Sequence, residues 1–264
     1  MATVYCQGKT FQSIRAVLFD KDGTLAQVED YLKKLGLARS RSITQAVTHS
    51  TSAHKSKTSP PDLDSAILAT FGLSPDNLDP AGLLAVGSRY DNEVAAAACL
   101  AATGWGWIDA IKTVQTAFIQ AADTLSPKVT HTPLLPNVYQ TLKQLNAVGS
   151  AIGIVSSDLH SEVTAFVEHY QLAQVMWHCG FSSDTLPKTH PEFLTFACDA
   201  MSVKANETLI IGDSAADYEL STQGAAGFLG MVGGWSRPPD INSAITTFFN
   251  FREIEVALEI DQIL

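Results

Sequence analysis

Three short apolar runs constrain this chain more than any other feature. "IRAVLFD" (Ile14–Asp20), "SAIGIVSSD" (Ser150–Asp158) and "TLIIGDS" (Thr208–Ser214) are continuous rather than alternating. Each therefore reads as a strand covered on both faces. Each also ends in Asp or Ser. "GAAGFLGMVGG" (Gly224–Gly234) is a fourth, looser candidate. Helical stripes lie between the runs. Val138, Leu142, Leu145 and Val148 recur at helical spacing before Gly149, and Val163, Phe166, Val167 and Tyr170 form one face. "PEFLTFACDAM" places Pro191 at a helix start. Alternation of strand and helix from about Leu134 onward predicts an α/β fold, a parallel sheet with helices on both faces. Ligands of such sheets sit at the carboxyl ends of the strands, where these Asp and Ser residues fall.

Residues 26–126 follow another pattern. Leu63, Ile67, Leu68 and Phe71 form a short helical stripe after Ser59-Pro60-Pro61-Asp62, "NEVAAAACLAAT" is alanine-rich, and Ile108, Ile111, Val114, Phe118, Ala121 and Leu125 make a longer stripe ended by Pro127. No strand stands out, so the segment reads as an all-helical insert after the first strand. The expected division is 1–25 and 127–264 as the core, with 26–126 inserted. A total of 264 residues suits a core with an inserted subdomain. Tyr31 to Pro61 carries Lys33, Lys34, Arg39, Arg41, Lys55 and Lys57 and no Asp or Glu. The plain expectation for its Ser/Thr-rich stretch 38–59 is a solvated face, and the sharper one is a basic rim that attracts an anion.

Lys and Arg number 17 against 27 Asp and Glu, a net charge of −10, which argues against binding nucleic acid through bulk charge. Cys6, Cys99, Cys179 and Cys198 are far apart, as expected of free thiols in a reducing compartment. No basic leader and no apolar run of about 18 residues occurs, so the expectation is a soluble cytoplasmic protein that does not engage a membrane.

Four signals stand in chain order at strand ends or helix starts: Asp20-Lys21-Asp22-Gly23-Thr24, Ser156, Lys188, and Gly212-Asp213-Ser214 with Asp217. Several carboxylates at one sheet edge repel one another, and hard oxygen ligands suit a divalent cation such as Mg²⁺. A lysine and a hydroxyl beside them could hold phosphoryl oxygens, and a carboxylate can attack phosphorus. Singly, each signal has a plainer reading: a helix cap for Asp20, Asp22 or Ser156, a surface lysine for Lys188, a helix-surface residue for Asp217. Their order is what favours a site.

The four signals together resemble the motifs of the haloacid dehalogenase-like hydrolase superfamily, in particular its phosphatase branch with a small helical cap, the phosphoglycolate phosphatase-like enzymes. "FDKDGTL" is similar to the first motif, and Ser156, Lys188 and "GDSAAD" match the others in order. The resemblance implies a Rossmann-like core, with the helical insert as a cap domain. It implies Asp20 as nucleophile and Mg²⁺ ligand, and Asp22 as general acid and then base, its backbone carbonyl on the metal. Asp213 would complete the metal site, with Asp217 as a further metal or supporting group. Ser156, Ser157 and Lys188 would bind phosphoryl oxygens. Ser157 stands where the family often has Asn, and Thr189 follows Lys188 where it often has Pro. An acid two residues after the nucleophile suits an alkoxide leaving group better than a halide. The implied activity is Mg²⁺-dependent hydrolysis of a small phosphorylated metabolite through an aspartyl-phosphate. The alternatives are a sugar phosphomutase or a non-catalytic regulatory protein on the same fold. Lys21 reads as a spacer between the two carboxylates. His190 reads as a loop histidine. Arg89, Tyr90 and the "GWGW" run (Gly104–Trp107) are the insert's candidates for substrate contact, with packing between helices an equal reading for Trp105 and Trp107.

Overall fold

The computed structural model describes residues 1–49, 63–75, 77–172, 177–181, 186–241 and 245–259. They form two compact units, one of residues Met1–Val28 and Thr132–Leu264, the other of Glu29–His131.

The first unit holds strands β1 (Ala2–Cys6), β2 (Lys9–Ile14), β3 (Ala16–Asp20), β4 (Ala151–Leu159), β5 (Trp177–Phe181), β6 (Thr208–Gly212), β7 (Gly227–Met231), β8 (Thr247–Phe248) and β9 (Ile254–Leu258). A six-stranded sheet runs in the order β5-β4-β3-β6-β7-β8, and every pairing in it is parallel. β3 and β6 sit at its centre and are buried along their whole length, which is why their sequences are continuously apolar. One face is covered by a cluster that includes Leu18, Ile210, Phe193, Leu194 and Phe228. On the other, Phe19 meets Phe251 at 6.2 Å between ring centroids. Each such buried side chain contributes about 1.5–3 kcal/mol of burial energy.

Among the described residues, five α-helices of the second unit come first in the chain: α1 (Glu29–His49), α2 (Leu63–Thr70), α3 (Leu83–Val86), α4 (Arg89–Ala102) and α5 (Trp107–Asp123). Those of the sheet unit follow as α6 (Val138–Ala147), α7 (His160–His169), α8 (Phe193–Ala200) and α9 (Ala215–Ser221). α8 starts after Pro191 rather than at it, with Glu192 in the cap position. Within the helical unit Ala96 and Ala97 of α4 and Val114, Phe118 and Ala121 of the α5 stripe are buried, Ile108 at the start of that stripe is exposed, and Phe71 meets Phe118 edge-on.

Two features depart from expectation. A second, three-stranded antiparallel sheet, β2-β1-β9, pairs the two ends of the chain. Its hairpin turns through Gln7 and Gly8, both with positive φ, a geometry that suits two-residue hairpins. Phe11 of β2 seats it against β7, where a Cβ on Gly227 would come within 2.4 Å of the ring. The other departure is the basic stretch. Its first part is the end of α1, and Arg39 is buried, its guanidinium 4.2 Å from the Phe118 ring centroid. A fully solvated face is therefore wrong for Arg39. Lys55 and Lys57 lie outside the described residues.

Candidate active site

The strand order β4-β3-β6 brings three of the four sequence signals to one sheet edge. Asp20 ends β3, paired in register with Val155, so Ser156 stands one residue beyond it. Phe19 pairs with Ile211, so the end of β6 and Asp213 lie alongside Asp20. The β4–β5 register shifts after Val155, where Ser156 leaves the regular ladder. Ser156 Oγ accepts a hydrogen bond from the Asp158 backbone N–H at 3.2 Å. Ser157 is exposed.

Lys188 enters from the loop before α8. Its Nζ lies 2.5 Å from Asp20 Oδ1 and 2.5 Å from Asp217 Oδ1, and the residue is 8% exposed. Asp217 is fully buried. Its Oδ2 accepts from the Ser214 backbone N–H at 3.0 Å and the Ser214 hydroxyl at 2.6 Å, so it closes a capping box on α9. Asp217 is thus neither a helix-surface residue nor a spare carboxylate. One carboxylate oxygen from each of Asp20, Asp213 and Asp217 lies within 4.8 Å of the others.

Among the described residues, three buried carboxylates gather around the Lys188 ammonium. Burial pushes the Asp20 carboxyl up to about 6; Lys188 opposes this, and Asp217 and Asp22 add to it. Asp213 is also raised, first by burial and then by Asp20 and Asp217. Burial alone would lower Lys188, but Asp20 and Asp217 outweigh it and hold the ammonium well above its ordinary range. Such a set of hard oxygen donors fits a divalent cation.

Asp22 behaves differently. Its side chain pairs with Lys21, and its charge reaches Asp20. Lys21 is not a spacer. Its side chain is 1% exposed, its Nζ lies 2.8 Å from Asp158 Oδ2 and also pairs with Asp22, and it sits 5.3 Å from the Phe166 ring centroid. Alternation along the strand does aim Lys21 away from Asp20, but into a buried ion pair. Asp158 and Trp235 are site residues that sequence reasoning missed, and Thr24, part of the first signal, was given no role. Thr24 Oγ1 donates to Asp213 Oδ1 at 3.1 Å, and Trp235 Nε1 donates to Asp213 Oδ2 at 2.6 Å. Of the two missed, only Asp158 had a local signal, since it stands two residues after Ser156.

His190 is tied into its loop, its Nδ1 accepting from the Glu192 backbone N–H. In the helical unit Arg89 pairs with Glu93 on its own helix, and Tyr90 is 68% exposed. Trp107 opens α5 exposed rather than packed between helices, whereas Trp105 is half-buried.

The family model described as haloacid dehalogenase-like hydrolase matches residues 14–220, from the strand before Asp20 to beyond Asp217. The chain is a haloacid dehalogenase-like hydrolase. Solved structures of this hydrolase class share its fold. One is described as a predicted phosphoglycolate phosphatase from Haemophilus somnus 129PT. It is 18% identical, with a TM-score of 0.62, and the match covers 89% of this chain and 94% of that one. Another is a HAD-superfamily hydrolase, subfamily IA, variant 1, from Geobacter sulfurreducens PCA. It is 16% identical, with a TM-score of 0.55 and coverage of 91% and 94%. No curated protein matches the sequence. Among the described residues of this hydrolase, no helix is long and apolar enough to cross a membrane.

Proposed function

We propose that this hydrolase is a Mg²⁺-dependent phosphatase that acts on a small phosphorylated metabolite. The observation that carries the reading is the Lys188 ammonium between Asp20 and Asp217, in a buried site where the Asp213 carboxylate also gathers. Asp20, Asp213 and Asp217 would hold the cation, which would offset charge on the phosphoryl group.

The remaining chemistry belongs to the chain's own groups. An Asp20 oxygen attacks phosphorus, and the bond from phosphorus to the ester oxygen breaks. Asp22 gives its proton to the leaving alkoxide. Asp22 then takes a proton from water, whose oxygen attacks the phosphorus of the aspartyl-phosphate and frees phosphate and Asp20. Lys188, the Ser156 hydroxyl and Ser157 hold the non-bridging oxygens, and Lys188 keeps Asp20 compatible with an approaching anion. The helical unit serves as the cap that selects the substrate.

The test is phosphate release from an aryl phosphate with and without Mg²⁺. Asp20→Asn is expected to abolish it. Asp22→Asn should cost about 10²–10⁴-fold on alkyl phosphates, and much less on an aryl ester whose leaving group needs no proton. Wild-type protein that releases no phosphate across a broad panel of phosphate esters overturns the reading.

A further inference from the structure

Trp235 lies beyond residue 220, where the family match ends, yet it reaches the centre of the site. Its indole N–H donates to Asp213 Oδ2 at 2.6 Å, while the Thr24 hydroxyl donates to Oδ1 at 3.1 Å. The two donors come from different loops, one after β3 and one after β7. Each carboxylate oxygen has two lone-pair directions. With one on each oxygen occupied, the plane of the carboxylate is fixed and a lone pair on each oxygen remains. Neither donor is charged, so both orient Asp213 without neutralising it.

The loop that carries Trp235 is seated with little freedom. The Val232 backbone N–H donates to the Phe248 carbonyl at 2.9 Å. A Cβ on Gly234 would lie 1.8 Å from the Gly23 carbonyl oxygen, and one on Gly23, whose φ is +84°, would lie 2.4 Å from Trp235 Nε1. The turn after the nucleophile and the Trp235 loop therefore pack backbone to backbone, a closeness that glycine at both places permits. Trp235 itself is 7% exposed.

We infer that Trp235 is a positioning residue for a divalent-cation site: its indole presents Asp213 as an oriented ligand, and the same hydrogen bond makes the indole sensitive to whether a cation is bound. The inference rests on the cation reading of the preceding section. Outer partners of metal ligands typically contribute 10–100-fold in affinity.

The test is calorimetric titration of Mg²⁺ into wild type, Trp235→Phe and, as control, Asp213→Asn, with each variant's folding checked by thermal unfolding in EDTA. Trp235→Phe is expected to bind Mg²⁺ at least tenfold more weakly. The second measurement does not depend on that variant folding. In a chain whose Trp105, Trp107 and Trp177 are replaced by Phe, Mg²⁺ should shift the emission of the remaining Trp235, with a midpoint at the calorimetric Kd. A folded Trp235→Phe that binds within about twofold of wild type overturns the inference, as does a Trp235 emission that stays constant while calorimetry registers binding; either result leaves the phosphatase reading standing. Wild-type protein that takes up no Mg²⁺ overturns both.

Discussion

Lys21 is the residue whose environment departs furthest from its local sequence. Between two aspartates it reads as a connector, yet it is an ammonium at 1% exposure, held by Asp22, Asp158 and the Phe166 ring. A buried ion pair adds little net stability when compared with apolar packing, but removing one member leaves the others uncompensated. Lys21→Met removes the buried ammonium that Asp22 and Asp158 share. Both are partly shielded, at 19% and 18% side-chain exposure, so the expected loss is about 3 kcal/mol of unfolding free energy in urea titration. Lys21→Met/Asp158→Asn should regain a good part of it, because one of the two carboxylates is then replaced by a neutral group. A single variant that loses less than about 0.5 kcal/mol would show that the pair is energetically idle.

At the scale of elements, the β6–α9 junction does two jobs in six residues. The strand end delivers Asp213, and the first turn of the helix delivers Asp217 through the Ser214 capping box. Gly212 makes this geometry possible, since a Cβ there would lie 2.2 Å from Asp217 Cγ. Gly212→Ala must displace Asp217, and with it the ion pair to Lys188. The expected result is a folded protein by circular dichroism whose kcat falls on the order of 10–100-fold. Ser214→Ala is the milder probe, costing about 1 kcal/mol of stability through the lost cap. This junction was legible in the sequence because its parts are local: an apolar run, a glycine, then carboxylates at fixed spacing. β3, β4, β6 and β7 were legible for the same reason, as were α2, α4, α5, α6 and α7. The β2-β1-β9 sheet was not. Its strands are short and partly exposed, and its closing pair joins residues from opposite ends of the chain. Trp235 was hidden likewise, because only the order of strands in space brings its loop beside Asp213. Arg39 looked solvated because a count of basic residues carries no information about Phe118, four helices along on α5.

For the whole molecule, the site trades stability for chemistry. The folded chain holds Asp20 at about 6, against an ordinary value of 3.8, mainly through burial. Between about pH 4 and pH 6 the folded state therefore keeps a proton that the unfolded state has lost. Stability from this group is complete below the unfolded value and is lost as pH rises through the folded one. Asp213, raised in the same direction, adds to the effect. Asp20→Asn imitates the protonated form at every pH, so its unfolding curve should lack Asp20's share of the loss. In EDTA at pH 7 the inactive variant should be more stable than wild type by on the order of 2 kcal/mol, and at pH 4 the two should converge. Mg²⁺ should narrow the gap at pH 7, because it binds the ionised folded site and stabilises by mass action, and should do little at pH 4, where Asp20 holds its proton. Urea unfolding of both proteins, with EDTA or Mg²⁺ at several pH values, reads all three comparisons. If wild type is the more stable protein at pH 7 without cation, burial of Asp20 is already compensated by Lys188, and the site's need for a cation loses its physical basis.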